Sequence, residues 1–344
     1  MINELLKSKN LPPLKSREEM LNIMQNEVFG YLPPKPDKIK FEVEENFIRS
    51  FFCTGKAKCN KITCTVTIND KEFSFPFYAS LINDGKKHPF FVSLNFTPAI
   101  PELYMPIEEI IDNGFSVLSF GYKEISSDSN DFEDGLSKIL YKNGERKDNQ
   151  AGKIAMWAWA ASRLMDYAET IPEYFDFNNS IVCGHSRLGI TSLLSGAIDE
   201  RFAFTYSNNS GTFGAAIARG KKGETIRQIY EVFPWQFCKN ASKYMDKEYE
   251  MDFDQHYLLA CIAPRKVLIG SASKDIWADP QAEMLSCIAS SDAFEKPFIY
   301  QDKLPEPGDE YLEGHVGYQI REGAHYFSRN DWQKIFKFVN KHKN

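Results

Sequence analysis

One ten-residue stretch constrains this chain more than any other: Ser180-Ile181-Val182-Cys183-Gly184-His185-Ser186-Arg187-Leu188-Gly189. A short apolar run leads into a Gly-x-Ser turn, and residues 190–197 continue it as a helix. A serine on such a turn stands exposed at the C-terminal edge of a parallel sheet, beside the free N–H groups of the first helical turn. Gly184 lets the chain turn without a clashing side chain. The second glycine falls one residue later than in the commoner Gly-x-Ser-x-Gly pattern, so the flanking strand and helix carry the reading more than the string does. The chemistry that such an elbow supports is attack by Ser186 on an acyl carbon.

The rest of the chain supplies a frame for that turn. Residues 16–29 place Leu21, Met24, Val28 and Phe29 at helical spacing behind a Ser16 cap, and Pro33, Pro34 and Pro36 then stop the helix. Residues 1–37 thus read as a docking helix with a Pro-rich connector. Between residues 40 and 79 the pattern alternates, with Asn69-Asp70 as a turn and Phe73, Phe75 and Phe77 on one face, which predicts antiparallel hairpins. From His88 onward, buried runs near 89–94, 115–120, 181–183, 202–206 and 267–269 alternate with helical patterns, as in a mainly parallel sheet covered on both faces. The stripe Ile154, Trp157, Ala158, Ala161, Leu164, Met165 and Ala168 predicts a core helix, and Trp332, Ile335, Phe336 and Val339 predict a closing one. Residues 126–150 read as a loop, and no linker divides the chain, so a single domain over 1–344 is expected.

Charge and composition narrow the function. A net charge of −6 with Lys and Arg scattered through 344 residues gives no footprint for gripping a phosphate backbone, so nucleic acid is not an expected partner. No apolar run approaches the length of a membrane span or a signal-peptide core, so the expectation is no membrane and a cytoplasmic chain, or a secreted one where a leader has been removed. Seven cysteines, an odd number, fit reduced buried thiols better than a disulfide framework. Cys53, Cys59 and Cys64 lack a C-x-x-C pair and a nearby histidine, so no metal site is expected.

A nucleophilic serine needs a base, and His325 is where the order of such folds puts one, after the final strand near 316–320. Of the other histidines, His342 falls in the terminal helix, His88 and His315 precede strands, His185 adjoins the serine, and His256 is expected to pack beneath the site. Two carboxylates can orient the imidazole. Asp275 follows the 267–269 strand, and Glu224 lies in Gly223-Glu224-Thr225, downstream of the strand ending near Ser207.

Several strings together resemble the bacterial glucuronoyl esterase family of carbohydrate esterases: Gly184-His185-Ser186-Arg187, Ser207-Asn208-Asn209-Ser210-Gly211, Gly223-Glu224-Thr225, Asp254-Gln255-His256, Ile262-Ala263-Pro264-Arg265, Trp277-Ala278-Asp279-Pro280, and Gly317-Tyr318 with His325. The likeness reaches back to Glu27-Val28-Phe29-Gly30 and so covers nearly the whole chain. It implies an α/β-hydrolase three-layer sandwich whose mainly parallel central sheet carries N-terminal antiparallel strands. It also implies that Arg187 assists the oxyanion, that Glu224 stands slightly ahead of Asp275 as the acid, and that Trp277 lines the sugar pocket. One departure is at Ile190, where typical members carry a lysine that contacts the sugar hydroxyls. An isoleucine donates no hydrogen bond, and a buried hydroxyl left unpartnered costs about 1–3 kcal/mol.

The expected activity is therefore a serine esterase acting on a small carbohydrate-linked ester, with no metal or organic cofactor required, in a monomer or small homo-oligomer. Activity should fall as the histidine becomes protonated. An acetyl esterase acting on acetylated xylan or small oligosaccharides suits a pocket without its lysine. A non-catalytic carbohydrate-binding protein on the same fold is the alternative from another class.

Overall fold

The computed structural model describes residues 1–48 and 51–343. Where the sequence alternates, the chain forms long antiparallel strands: β1 (Lys38–Ile48), β2 (Ala57–Ile68) and β3 (Lys71–Ile82). Asn69 and Asp70, both at positive φ, make the two-residue turn that pairs Ile68 with Lys71. From there the strands are shorter: β4 (His88–Asn95), β5 (Ser116–Gly121), β6 (Phe175–His185), β7 (Phe204–Asn208), β8 (Lys266–Ala272), β9 (Glu310–Tyr311) and β10 (Val316–Arg321). All ten join one sheet in the order β1-β2-β3-β5-β4-β6-β7-β8-β10-β9. The six strands from β5 to β10 in that order run parallel, and antiparallel partners flank them on both sides. The expected mainly parallel sheet with N-terminal antiparallel strands is therefore the observed one.

Two apolar layers cover the sheet. On one face, the helix Lys153–Ala168 is buried on nearly every side, beyond its apolar stripe. Lys153 itself is 0% exposed, and its Nζ donates to Ser126 Oγ, to the Asp131 carbonyl and to Asp134 Oδ1 at 2.9 Å. A buried ammonium requires such partners, so the 126–150 segment packs against this helix; it was expected to be a loop but contains the short helix Gly135–Leu140. On the other face, the helix Arg329–His342 sets Trp332 and Phe336 against Phe91 and Phe115. Burying each of these phenylalanines contributes about 1.5–3 kcal/mol.

The N-terminal helix runs from Arg17 to Met24 behind a Ser16–Glu19 capping box and continues as a wider turn to Phe29. Met20, Met24, Val28 and Phe29 face inward with Leu21 partly buried beside them, and a further short helix, Ile2–Ser8, precedes it. His256 is buried. Its Nε2 donates to the Pro12 carbonyl at 3.0 Å, so it anchors the N-terminal segment.

Candidate active site

The turn between β6 and the helix Arg187–Ile198 holds Ser186 at φ 58°, ψ −129°. For a residue with a Cβ this conformation stores on the order of 1–3 kcal/mol, and it persists only where its surroundings over-determine it. Here they do: Ser186 N donates to the Asn208 carbonyl at 2.8 Å, while Gly189 N and Ile190 N donate to the Ser186 carbonyl at 2.8 and 3.1 Å. A Cβ at Gly184 would lie 2.1 Å from the Leu188 carbonyl oxygen, so only glycine lets the helix approach the strand this closely. The Arg187 N–H, in the first helical turn, has no acceptor within the helix.

Beyond β10, the loop carrying His325 is pinned by a residue with no role assigned from the sequence. Arg321 donates from Nη2 to the carbonyls of Ala324 and Tyr326, and its Nε pairs with buried Asp331 at 2.7 Å. His325 Nδ1 lies 2.6 Å from Asp275 Oδ2. Asp275 also accepts from Asn209 Nδ2 at 2.8 Å and from Ala278 N at 3.3 Å. Burial pushes the Asp275 carboxyl upward, but the hydrogen bond and charge of His325, with the Ala278 and Asn209 donors, hold it below the usual carboxylate range. An ionised Asp275 fixes the proton on Nδ1 and leaves Nε2 as the basic ring nitrogen.

Of the two candidate acids, Asp275 is the one that meets His325. Glu224 makes no hydrogen bond to His325; its Oε1 accepts from Trp277 Nε1 at 3.1 Å, its backbone N–H donates to the Trp277 carbonyl, and burial raises its carboxyl. Lys221 Nζ reaches the same Trp277 carbonyl at 2.7 Å. Glu224 and Trp277 are thus one tethered pair on the cavity wall.

His185 packs its ring 4.5 Å from that of His325 and bonds to Asn208 through Nδ1 at 2.7 Å. Burial and the neighbouring His325 push it down to about 3, so it stays neutral and adds no competing charge.

All seven residues expected at the site, Ser186, Arg187, Ile190, Glu224, Asp275, Trp277 and His325, line a single cavity of about 270 Å³. The lining also includes the apolar Ile229, Phe233 and Ala278. The sequence reading missed Asn209, Phe233, Gln236 and Asp128. Asn209 lay inside a string already recognised, whereas the other three come from segments without periodicity. Asp128 meets the Arg187 guanidinium, which also stacks 4.8 Å from the Phe233 ring. Among the described residues no cluster of His, Cys, Asp and Glu has metal-binding geometry, and no helix is long and apolar enough to cross a membrane.

A parallel sheet with a strained serine between strand and helix, and an Asp-His pair beyond its last two parallel strands, defines the α/β-hydrolase class. Residues 64–296 match the family model described as "Glucuronyl esterase, fungi". The chain belongs to the glucuronoyl esterase family. It is 40% identical over 242 residues to carbohydrate esterase MZ0003 from an unknown prokaryotic organism, covering 69% of this chain and 55% of that protein. It is 25% identical over 334 residues to the 4-O-methyl-glucuronoyl methylesterase of Hypocrea jecorina, covering 94% and 64%. A solved promiscuous CE15 esterase from the marine bacterial metagenome superposes with a TM-score of 0.84 at 30% identity, covering 95% of this chain and 91% of that one. The chain spans about half to two thirds of the length of the curated relatives it matches.

Proposed function

We propose that this protein is a serine carboxylic-ester hydrolase acting on a carbohydrate-linked uronoyl ester, with Ser186, His325 and Asp275 as its triad. The observation that carries this reading is the 2.6 Å His325–Asp275 contact in the same cavity as a serine held at positive φ. In the reaction, Ser186 Oγ attacks the ester carbonyl carbon and its proton passes to His325 Nε2. The oxyanion so formed is stabilised by the Arg187 guanidinium and its backbone N–H. Collapse breaks the bond to the alcohol, which leaves with the proton from His325. Water, deprotonated by the same imidazole, then releases the acid and restores Ser186. The relatives named as glucuronoyl methylesterases support a glucuronate as the acyl group, and the Glu224–Trp277 pair offers it a polar edge.

Ile190 in the cavity lining favours a second reading, an esterase for acetylated xylan or oligosaccharides, whose small acyl group needs no hydroxyl partner there. Turnover of a methyl glucuronate, an acetylated xylo-oligosaccharide and p-nitrophenyl acetate, each with Ser186→Ala as control, separates the two. Preference for the glucuronate is expected. Turnover of the acetyl esters alone supports the second reading, and activity unchanged in Ser186→Ala overturns both.

A further inference from the structure

Asp128 lies in the loop between β5 and the helix Lys153–Ala168, with its side chain only 6% exposed. Its carboxylate gathers four donors from three parts of the chain. Oδ2 receives Arg187 Nη1 and Tyr122 Oη, the latter at 3.0 Å; Oδ1 receives Trp235 Nε1 and Gln236 Nε2, both at 2.8 Å. Burial raises its carboxyl, but Arg187 and the three neutral donors outweigh that, so it remains ionised.

The loop beneath Asp128 is itself fixed. Ser127 N donates to Asp134 Oδ2 at 2.7 Å, Trp157 Nε1 donates to the Ser126 carbonyl at 3.2 Å, and buried Lys153 binds Ser126 and Asp134 together. Tyr122 stacks edge-on against Trp157 with ring centroids 4.7 Å apart. The carboxylate therefore sits on a scaffold that cannot follow its partners. The partners must come to it.

Resting on the triad reading above, we propose that Asp128 is a positioning residue for the oxyanion: it holds the Arg187 guanidinium in place over the cavity and, with its other oxygen, clamps the 233–236 segment whose Phe233 and Gln236 form the cavity wall. The geometry links two things that a simple elbow leaves independent, the charge that meets the transition state and the wall that meets the substrate. A guanidinium paired through one Nη keeps its remaining N–H groups for an oxyanion, and its orientation is set before substrate arrives. An aromatic face against the same cation restricts it further.

The decisive experiment is a double-mutant cycle. Asp128→Asn, Arg187→Ala and the combined variant are compared in kcat and KM on methyl glucuronate and p-nitrophenyl acetate, with thermal unfolding as a check on folding. Removing a single oxyanion donor costs about 10²–10³ in kcat, so displacing one is expected to lower kcat by roughly tenfold or more in Asp128→Asn, while loosening of the 233–236 wall raises KM for the methyl glucuronate. In the Arg187→Ala background the same substitution should cost nothing further in kcat. An equal loss in both backgrounds, or an unchanged kcat in Asp128→Asn, overturns the proposal. If Asp128→Asn does not fold, Trp235→Phe removes one donor and keeps the ring; a loss confined to the chain with Arg187 supports the proposal and an equal loss in both overturns it. A crystal structure of Asp128→Asn, or of Trp235→Phe where that variant stands in, gives a readout independent of turnover: a displaced guanidinium is expected, and an unmoved one overturns the inference. Failure of the triad reading shows separately, as activity unchanged in Ser186→Ala.

Discussion

Asn209 and Asp275, 66 residues apart, meet at 2.8 Å, so that the amide at the end of β7 donates to the same carboxylate oxygen that faces His325 from beyond β8. The Asp275 carboxylate is thus supported from the neighbouring strand end. Glu224, also on the cavity wall, has its own partner in Trp277.

This arrangement ranks the two acids. Asp275→Asn should lower kcat by about 10³–10⁴, the cost of losing the carboxylate that fixes a catalytic imidazole. Glu224→Gln should act mainly on KM for sugar esters and leave p-nitrophenyl acetate turnover within a few fold. Burial raises the Asp275 carboxyl, but His325 and the donors outweigh it and hold it below the usual carboxylate range, so it stays ionised as pH falls through that range. Kinetics of the two variants from pH 5 to 8 checks this; a larger kcat loss in Glu224→Gln would reverse the assignment.

Ile190 is 2% exposed and lines the cavity together with Ile229. Ile190→Lys places a donor where a sugar hydroxyl would lie, and one such hydrogen bond is worth about 0.5–1.5 kcal/mol. The ratio of kcat/KM for methyl glucuronate to that for p-nitrophenyl acetate should rise by up to about tenfold. A folded variant with an unchanged ratio would mean that the acyl group does not present its hydroxyls to this wall.

Glu283, fully buried behind the site, accepts from Gly211 N at 3.0 Å and from Ser271 Oγ, and burial raises its carboxyl from 4.5 to about 7. Between these values the folded protein keeps a proton that the unfolded chain has released. Stability should therefore decline as pH rises from 4.5 through 7. Glu283→Gln removes that slope, so its urea midpoint should be flatter between pH 5 and 8 than that of the parent. Parallel profiles would show that Glu283 is ionised throughout.

All seven cysteines are free and buried, and burial pushes the thiols of Cys53 and Cys59 up to about 11 and that of Cys64 to about 12. A thiol reagent at pH 8 should find almost no fast-reacting group in the folded protein and seven after denaturation, because the thiolate is the reactive form. A single rapid site would point to local opening near that cysteine.

The parts of the fold that were legible in the sequence are those in which burial leaves a period. The β2–β3 hairpin, the parallel strands and the helix around Trp157 all announce themselves by alternation or by apolar runs. The serine and histidine were legible because a turn and a chain order mark them. The choice between Asp275 and Glu224 was not, because both stand on loops whose approach to His325 depends on packing between distant segments. Asp128 and Arg321 escaped for the same reason. Each acts through hydrogen bonds to backbone or to residues far along the chain, and such contacts leave no pattern in the neighbouring sequence.

The ten-stranded sheet has two open ends. At one, β9 is only two residues long; at the other, β1 is eleven residues long and largely exposed, with Lys38, Lys40, Glu42 and Glu44 along one side and Lys40 paired to Glu42. A bare edge of that length would serve as a template for another molecule's strand. Here one end is too short to recruit a partner, and the other would force an incoming copy to bring its own charges into register. The fold thus carries a wide sheet beneath its pocket with both of its ends guarded against edge-to-edge pairing.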